Sequence, residues 1–145
     1  MEELSYVGRV VVITGSGRGL GREYALAFAS RGAAVVVNDV GTTLDGSGPS
    51  NSEPAQEVVA QILKSGGRAI AHHESVATVQ GAQGLIDAAI NAFGQIDAVI
   101  NNAGVLNMKP FEEMTLEGLE RHLAVHVKGS FLVSKAVWPH MVKRQ

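Results

Sequence analysis

Eight residues near the N-terminus, Thr14-Gly15-Ser16-Gly17-Arg18-Gly19-Leu20-Gly21, constrain the fold more than any other part of the chain. They follow residues 10–13, a run apolar at every position, as a strand buried on both faces requires. They lead into residues 19–31, where Leu20, Tyr24, Ala27 and Phe28 recur at helical spacing before Gly32 stops the helix. A strand that enters a glycine turn and then a helix leaves the first helical N–H groups free beside backbone without obstructing side chains, an arrangement suited to phosphate. The spacing is Gly15-x-x-x-Gly19-x-Gly21. The widely quoted G-x-G-x-x-G is not met, because its last glycine would fall on Leu20.

Short apolar runs and helical segments then alternate, the sign of a parallel sheet covered by helices. Strands are expected at residues 34–37, 69–71 and 98–100, with helices at 55–64 and 82–93. Residues 41–54, rich in Gly, Ser, Thr and Asp, form a loop. A long last helix is expected from Thr115, whose hydroxyl caps it, toward Met141, with Leu116, Leu119, Leu123, Val127 and Phe131 as an apolar stripe that serves as core or subunit contact. Gly129 within it points to close approach of a neighbour, and Pro139 to a kink or an end. The expected fold is a single α/β domain over residues 1–145. It is a Rossmann-type doubly wound parallel sheet of order 3-2-1-4, truncated after the fourth strand and its following helix and so incomplete at the C-terminus.

Composition narrows the function classes. A formal net charge of −2 with singly scattered basic residues gives no footprint for nucleic acid. The chain has no Cys, no basic-then-apolar leader and no apolar run of membrane-spanning length, so the expected setting is cytoplasmic, with no membrane partner. His122 and His126 stand four apart as two metal ligands could, but no Glu completes H-E-x-x-H, and no metal site is expected. His72-His73 reads as a strand end.

Asp39 closes the second strand about 20 residues beyond the glycines, where a carboxylate accepts the hydroxyls of an adenosine ribose. A 2′-phosphate there would meet a like charge, so NAD is expected over NADP. Arg18, beside Gly19, is the one feature that would favour the phosphate.

Taken in order, Thr14-Gly15-x-x-x-Gly19-x-Gly21, Asp39 and Asn101-Asn102-Ala103-Gly104 make the chain resemble the short-chain dehydrogenase/reductase family from Arg9 onward. Residues 35–41 and 125–131 look most like the (3R)-hydroxyacyl-CoA dehydrogenase part of multifunctional enzymes and their bacterial relatives. The resemblance implies an NAD(P)-dependent oxidoreductase that moves hydride between an alcohol or 3-hydroxyacyl thioester and the ketone, working as a homo-oligomer. It implies cofactor contacts at Thr14, Gly15, Ser16, Arg18, Gly19, Leu20, Gly21, Asp39, Ser75, Val76, Asn102, Ala103 and Gly104. Ser75 and Val76 would border the adenine, and Ser75 stands where the family usually has Asp. His126 takes the place of the Asn that holds a relay water in many members. The family's Ser and Tyr-x-x-x-Lys are missing: four residues after Tyr6 and Tyr24 stand Val10 and Phe28, so no catalytic residue is assigned. Two other readings stay open, a non-catalytic nucleotide-binding or interaction module and a methyltransferase. Asn101 to Gly104 and the Thr14 start argue against the latter, and titration with NAD and with S-adenosylmethionine separates it from an NAD-binding dehydrogenase.

Overall fold

The structure, a computed structural model, describes residues 4–144. Four parallel strands, β1 (Val10–Thr14), β2 (Ala34–Asn38), β3 (Arg68–His72) and β4 (Ala98–Ile100), lie in the order β3-β2-β1-β4, as the alternation of strands and helices implies. Val12 stands opposite Val36 on one side and Val99 on the other. Every residue of β1 and β2 is buried. That is the physical reason these two segments read as unbroken apolar runs: side chains alternate across the sheet, and both faces are covered.

The two faces carry separate cores. Val11, Ile13, Val35 and Val37 point to α1 (Gly19–Ser30) and α2 (Glu53–Lys64), where Ala25, Ala29, Val58 and Ile62 meet them. Val12 and Val36 point to the other side, against Leu85, Ile86 and Ala89 of α3 (Val79–Phe93) and Val133 and Val137 of the last helix. Crossing from one layer to the other brings the C-terminal strand ends, the glycine turn and the helix starts to one edge. At the opposite edge the Asp97 carboxylate accepts the Val10 N–H at 2.8 Å and ion-pairs with Arg9 at 3.0 Å. Burial raises its pKa, but the Val10 bond, Arg9, Gln95 and the charge of Arg144 outweigh that and hold it below the usual value.

Several boundaries shift from those expected. α2 starts at Glu53, two residues early, because Pro54 in its first turn has no N–H to leave unsatisfied. α3 starts at Val79, where Thr78 Oγ1 accepts the Gly81 N–H at 3.0 Å. A 3-10 turn (Phe111–Glu113) precedes the last helical stretch. That stretch is not one regular helix: α4 (Leu116–His122), capped by Thr115 as expected, passes into a π-helical segment (Leu123–Gly129) and then α5 (Ser130–Val142). Pro139 lies inside α5 without ending it. A Cβ on Gly129 would stand 3.0 Å from Val76 Cγ2, the close approach its glycine implied. The expected apolar stripe is not core: Leu116, Leu119, Leu123, Val127 and Phe131 are all exposed, and the buried face carries Gly129, Val133 and Val137 instead. Among the described residues no helix is long and apolar enough to cross a membrane.

Candidate functional site

At the C-terminal edge of the sheet a cavity of about 350 Å³ opens between the glycine turn, the ends of β2 and β3, the segment after β4 and α4. Its floor is held by Thr14 and Asn102. The Thr14 hydroxyl accepts the N–H groups of Asn102 at 3.0 Å and Ala103 at 2.9 Å, and the Asn102 amide donates to the carbonyls of Thr14 at 3.0 Å and Gly15 at 2.9 Å. Ser16 is fully buried, its hydroxyl on the Ile13 carbonyl at 2.7 Å and its N–H on that of Asn38 at 2.8 Å. Thr14 and Ser16, expected to touch a cofactor, therefore lie beneath the cavity and do not line it. Strand geometry is the reason: the end of β1 turns these hydroxyls into the protein, where they bond backbone groups of β1 and of the segment after β4.

The glycines do different things. A Cβ on Gly21 would come within 2.3 Å of the Gly15 carbonyl and 2.5 Å of Asn102 Nδ2, so glycine there lets α1 close onto the turn. Gly19 has φ +53° and nothing within 4 Å of where a Cβ would sit. That position is left-handed backbone facing open space at the cavity wall. The N–H groups of Gly19, Leu20 and Gly21, in the first turn of α1, find no acceptor among the described residues.

Across the cavity Asp39 is held at both carboxylate oxygens, Oδ2 accepting the Gly17 N–H and Oδ1 the Gly41 N–H, each at 2.8 Å. Each oxygen keeps a further acceptor site. Arg18 donates to the Thr42 carbonyl at 3.0 Å. Behind this wall the buried Asn38 amide donates to His72 Nδ1 and to the Glu74 carbonyl, each at 3.0 Å, tying the end of β2 to the segment that carries Ser75 and Val76. Burial pushes the His72 pKa down from its ordinary 6.5, with His73 adding to the fall and Glu74 opposing it.

Gly15, Arg18, Gly19, Leu20, Gly21, Asp39, Ser75, Val76, Asn102, Ala103 and Gly104 all line the cavity. Sequence reasoning missed a second group: Thr42, Thr43, Leu44 and Gly46 from the loop after β2, Val105, and Arg121 and Val125 from the last helical stretch. A loop of short side chains and backbone advertises no chemistry, and Arg121 reads in sequence as one more solvated helix cation; in the structure Gly46 has φ +74°. His126 faces the Val105 peptide, its Nε2 3.0 Å from the N–H and 2.9 Å from the carbonyl, so its tautomer selects which of the two it binds. Its ring stacks on His122 at 5.8 Å between centroids. Tyr6 packs edge-on against Phe28, Tyr24 lies on α1, and neither lines the cavity.

This geometry has close counterparts. The chain is 49% identical over 132 residues to a short-chain type dehydrogenase/reductase of Mycobacterium tuberculosis, covering 91% of this chain and 46% of the relative. It is 46% identical over 141 residues to the mouse peroxisomal multifunctional enzyme type 2, covering 97% of this chain and 19% of that one. Among solved structures, a 7α-hydroxysteroid dehydrogenase complexed with NADH and a 7-oxo bile acid superimposes with a TM-score of 0.84 at 35% identity, covering 97% of this chain and 51% of the other. A short chain dehydrogenase from Mycobacterium avium gives 0.82 at 43%, covering 92% and 46%. The chain thus spans about half the length of three of these relatives and a smaller share of the multifunctional one. The profile of the short chain dehydrogenase family matches residues 9–145, and with the glycine turn, the Asp39 wall and the Asn102 clamp in place this chain belongs to that family.

Proposed function

We propose that the cavity holds the adenosine and pyrophosphate of NAD, and that the chain supplies the dinucleotide-binding half of an oxidoreductase interconverting a secondary alcohol and its ketone. The observation that carries this is the pairing of the first-turn N–H groups of α1, open above Gly19, with the Asp39 carboxylate across the cavity. The donors suit a pyrophosphate anion and the carboxylate suits ribose hydroxyls. When bound, the nicotinamide accepts or supplies a hydride. The chain's own part is to fix the nucleotide: Gly19, Leu20 and Gly21 bind phosphate oxygens, Asp39 orients the ribose, and Ser75, Val76 and Ala103 pack along the nucleoside.

Two features favour NAD over NADP. The Asp39 carboxylate is pinned where a 2′-phosphate would lie, and Arg18, the cation that would neutralise such a phosphate, is turned onto the Thr42 carbonyl. A 3-hydroxyacyl thioester is the substrate class we favour, on the likeness to peroxisomal multifunctional enzymes and hydratase-dehydrogenase-epimerases. The exposed stripe from Leu116 to Phe131 is the surface we assign to subunit contact.

Calorimetric titration of wild type and Asp39→Ala with NADH and NADPH tests the cofactor assignment. Wild type should prefer NADH, and Asp39→Ala should lose about 1–3 kcal/mol on NADH while narrowing the preference. Equal affinity of both proteins for both cofactors would remove it.

A further inference from the structure

The loop after β2 is built as a small rigid flap with a closed base and a pinned tip. At the base, the Asn51 N–H donates to the Val40 carbonyl at 2.9 Å. Inside the flap, Asp45 takes bonds from the Thr43 hydroxyl at 2.7 Å and from the Ser47 N–H at 3.1 Å, and the Gly46 N–H returns to the Thr43 carbonyl at 2.8 Å. The hydroxyl and N–H bonds on Asp45 hold its pKa down at about 2.

The tip is fixed from three directions. Arg18 in the glycine turn holds the Thr42 carbonyl, the Leu106 N–H donates to the Leu44 carbonyl at 3.0 Å, and Arg121 Nη1 reaches the Asp45 carbonyl at 3.3 Å. Only the last comes from a helix on the far side of the cavity. Arg121 is itself aimed by Glu117, whose carboxylate accepts Nη2 at 2.8 Å, and its side chain is 29% exposed. Gly46 lets the contact close: a Cβ there would stand 2.8 Å from Val105 Cγ1 and 3.2 Å from Arg121 Cδ.

Resting on the cofactor assignment above, we infer that Arg121 is a positioning residue for the adenosine end of the cleft, holding the Asp45 carbonyl so that residues 42–46 stay shut as the cavity's outer wall. Its Nη1 is taken up by the Asp45 carbonyl and its Nη2 by Glu117, which fits action on the nucleoside through the flap. The effect is to slow escape of the nucleoside. It falls on adenosine as much as on a phosphorylated nucleotide.

Arg121→Met keeps an unbranched stem against Gly46 and removes the donors, whereas Arg121→Lys keeps one donor. Affinities for adenosine, AMP and NADH, and the rate at which thermolysin cuts the loop before the exposed Leu44, are measured on each protein without and with AMP. In Arg121→Met all three ligands should weaken by a similar factor, about threefold to tenfold, the range of an ordinary hydrogen bond, because this one is 3.3 Å long and only partly buried. Cleavage should accelerate in the free protein, and Arg121→Lys should recover part of both effects. If circular dichroism shows that Arg121→Met has lost its fold, Gly46→Val, which wedges the tip away from Val105, reads the same two quantities. Unchanged affinities with unchanged cleavage would overturn the inference. A loss confined to AMP and NADH, with adenosine and cleavage unaffected, would also overturn it and make Arg121 a direct phosphate ligand. Wild type that binds none of the three would instead refute the cofactor assignment, and the cleavage rates would then decide the tether by themselves.

Discussion

Alanine at Gly21 and alanine at Gly19 put the same methyl group into the same turn for opposite results. At Gly21 the new Cβ meets the Gly15 carbonyl at 2.3 Å and the Asn102 amide at 2.5 Å, so α1 must move off the turn. Forcing atoms into a filled site costs about 1–3 kcal/mol. Displacing Asn102 threatens its two bonds to Thr14 and Gly15, about 0.5–1.5 kcal/mol each. Alanine's better helix propensity returns up to about 1 kcal/mol. Gly21→Ala should therefore lose about 1–5 kcal/mol in urea denaturation with no ligand present. At Gly19 nothing is struck, and the folded chain bears only the left-handed strain, about 1–2 kcal/mol. Its methyl, however, stands where the pyrophosphate is proposed to approach the free N–H groups. Gly19→Ala should thus lose only that strain, about 1–2 kcal/mol, in urea yet bind NADH at least tenfold more weakly. Wild-type NADH affinity in Gly19→Ala, or a wild-type midpoint in Gly21→Ala, would show that the division of labour within the turn is wrong.

Thr14→Val keeps the shape of the side chain but leaves the Ala103 N–H without its acceptor and the Asn102 N–H with the Ile100 carbonyl alone, and should cost about 1–3 kcal/mol in urea denaturation, whereas a neutral result would mean another group satisfies Ala103. His72 has its pKa depressed by burial, so the unfolded chain binds its proton more readily; stability is full above about pH 6.5 and declines as pH falls below it. Thermal melts of wild type should show that decline between pH 7 and 5, and His72→Asn should flatten it. Phe131→Asp on the exposed stripe should shift sedimentation toward smaller species, and an unchanged distribution would count against that stripe as a subunit contact. Incubated with NAD and secondary alcohols or 3-hydroxyacyl thioesters, the chain should form no reduced cofactor, because neither of its tyrosines has a Lys one turn on; turnover that disappears in His126→Ala would contradict this.

Much of the architecture was legible because parallel strands covered on both faces must be apolar throughout, as residues 10–13 and 34–37 are. Asp39 was legible because its place at a strand end fixes which way it faces. Residue type alone was a weaker guide at Thr14 and Ser16: the same hydroxyl can meet a ligand or cap the backbone, and only the direction of the chain at the end of β1 decides. The last helical stretch misled for a different reason. Its more hydrophobic stripe, Leu116 to Phe131, faces outward, while the inward face carries an arginine, a glycine and valines and stands out less by hydrophobicity. The flap over residues 42–46 was read as a plain loop, since a wall of backbone and short side chains leaves no pattern in sequence.

The π-helical segment explains how that inward face exists. Arg121, Val125, Gly129, Val133 and Val137 stand four apart; the first two border the cavity, Gly129 touches Val76, and the last two are buried against the sheet layer. In an ideal α-helix each step of four overshoots a full turn by about 40°, so five such positions would spiral through about 160° and could not share one side. Wider turns between Leu123 and Gly129 wind the rod more slowly and absorb that drift. The segment thus acts as a phase corrector, keeping the contact with the nucleotide end and the contact with the sheet on one meridian. Wound as ordinary α-helix, the same seven residues would rotate everything downstream by roughly 100° and uncouple the two.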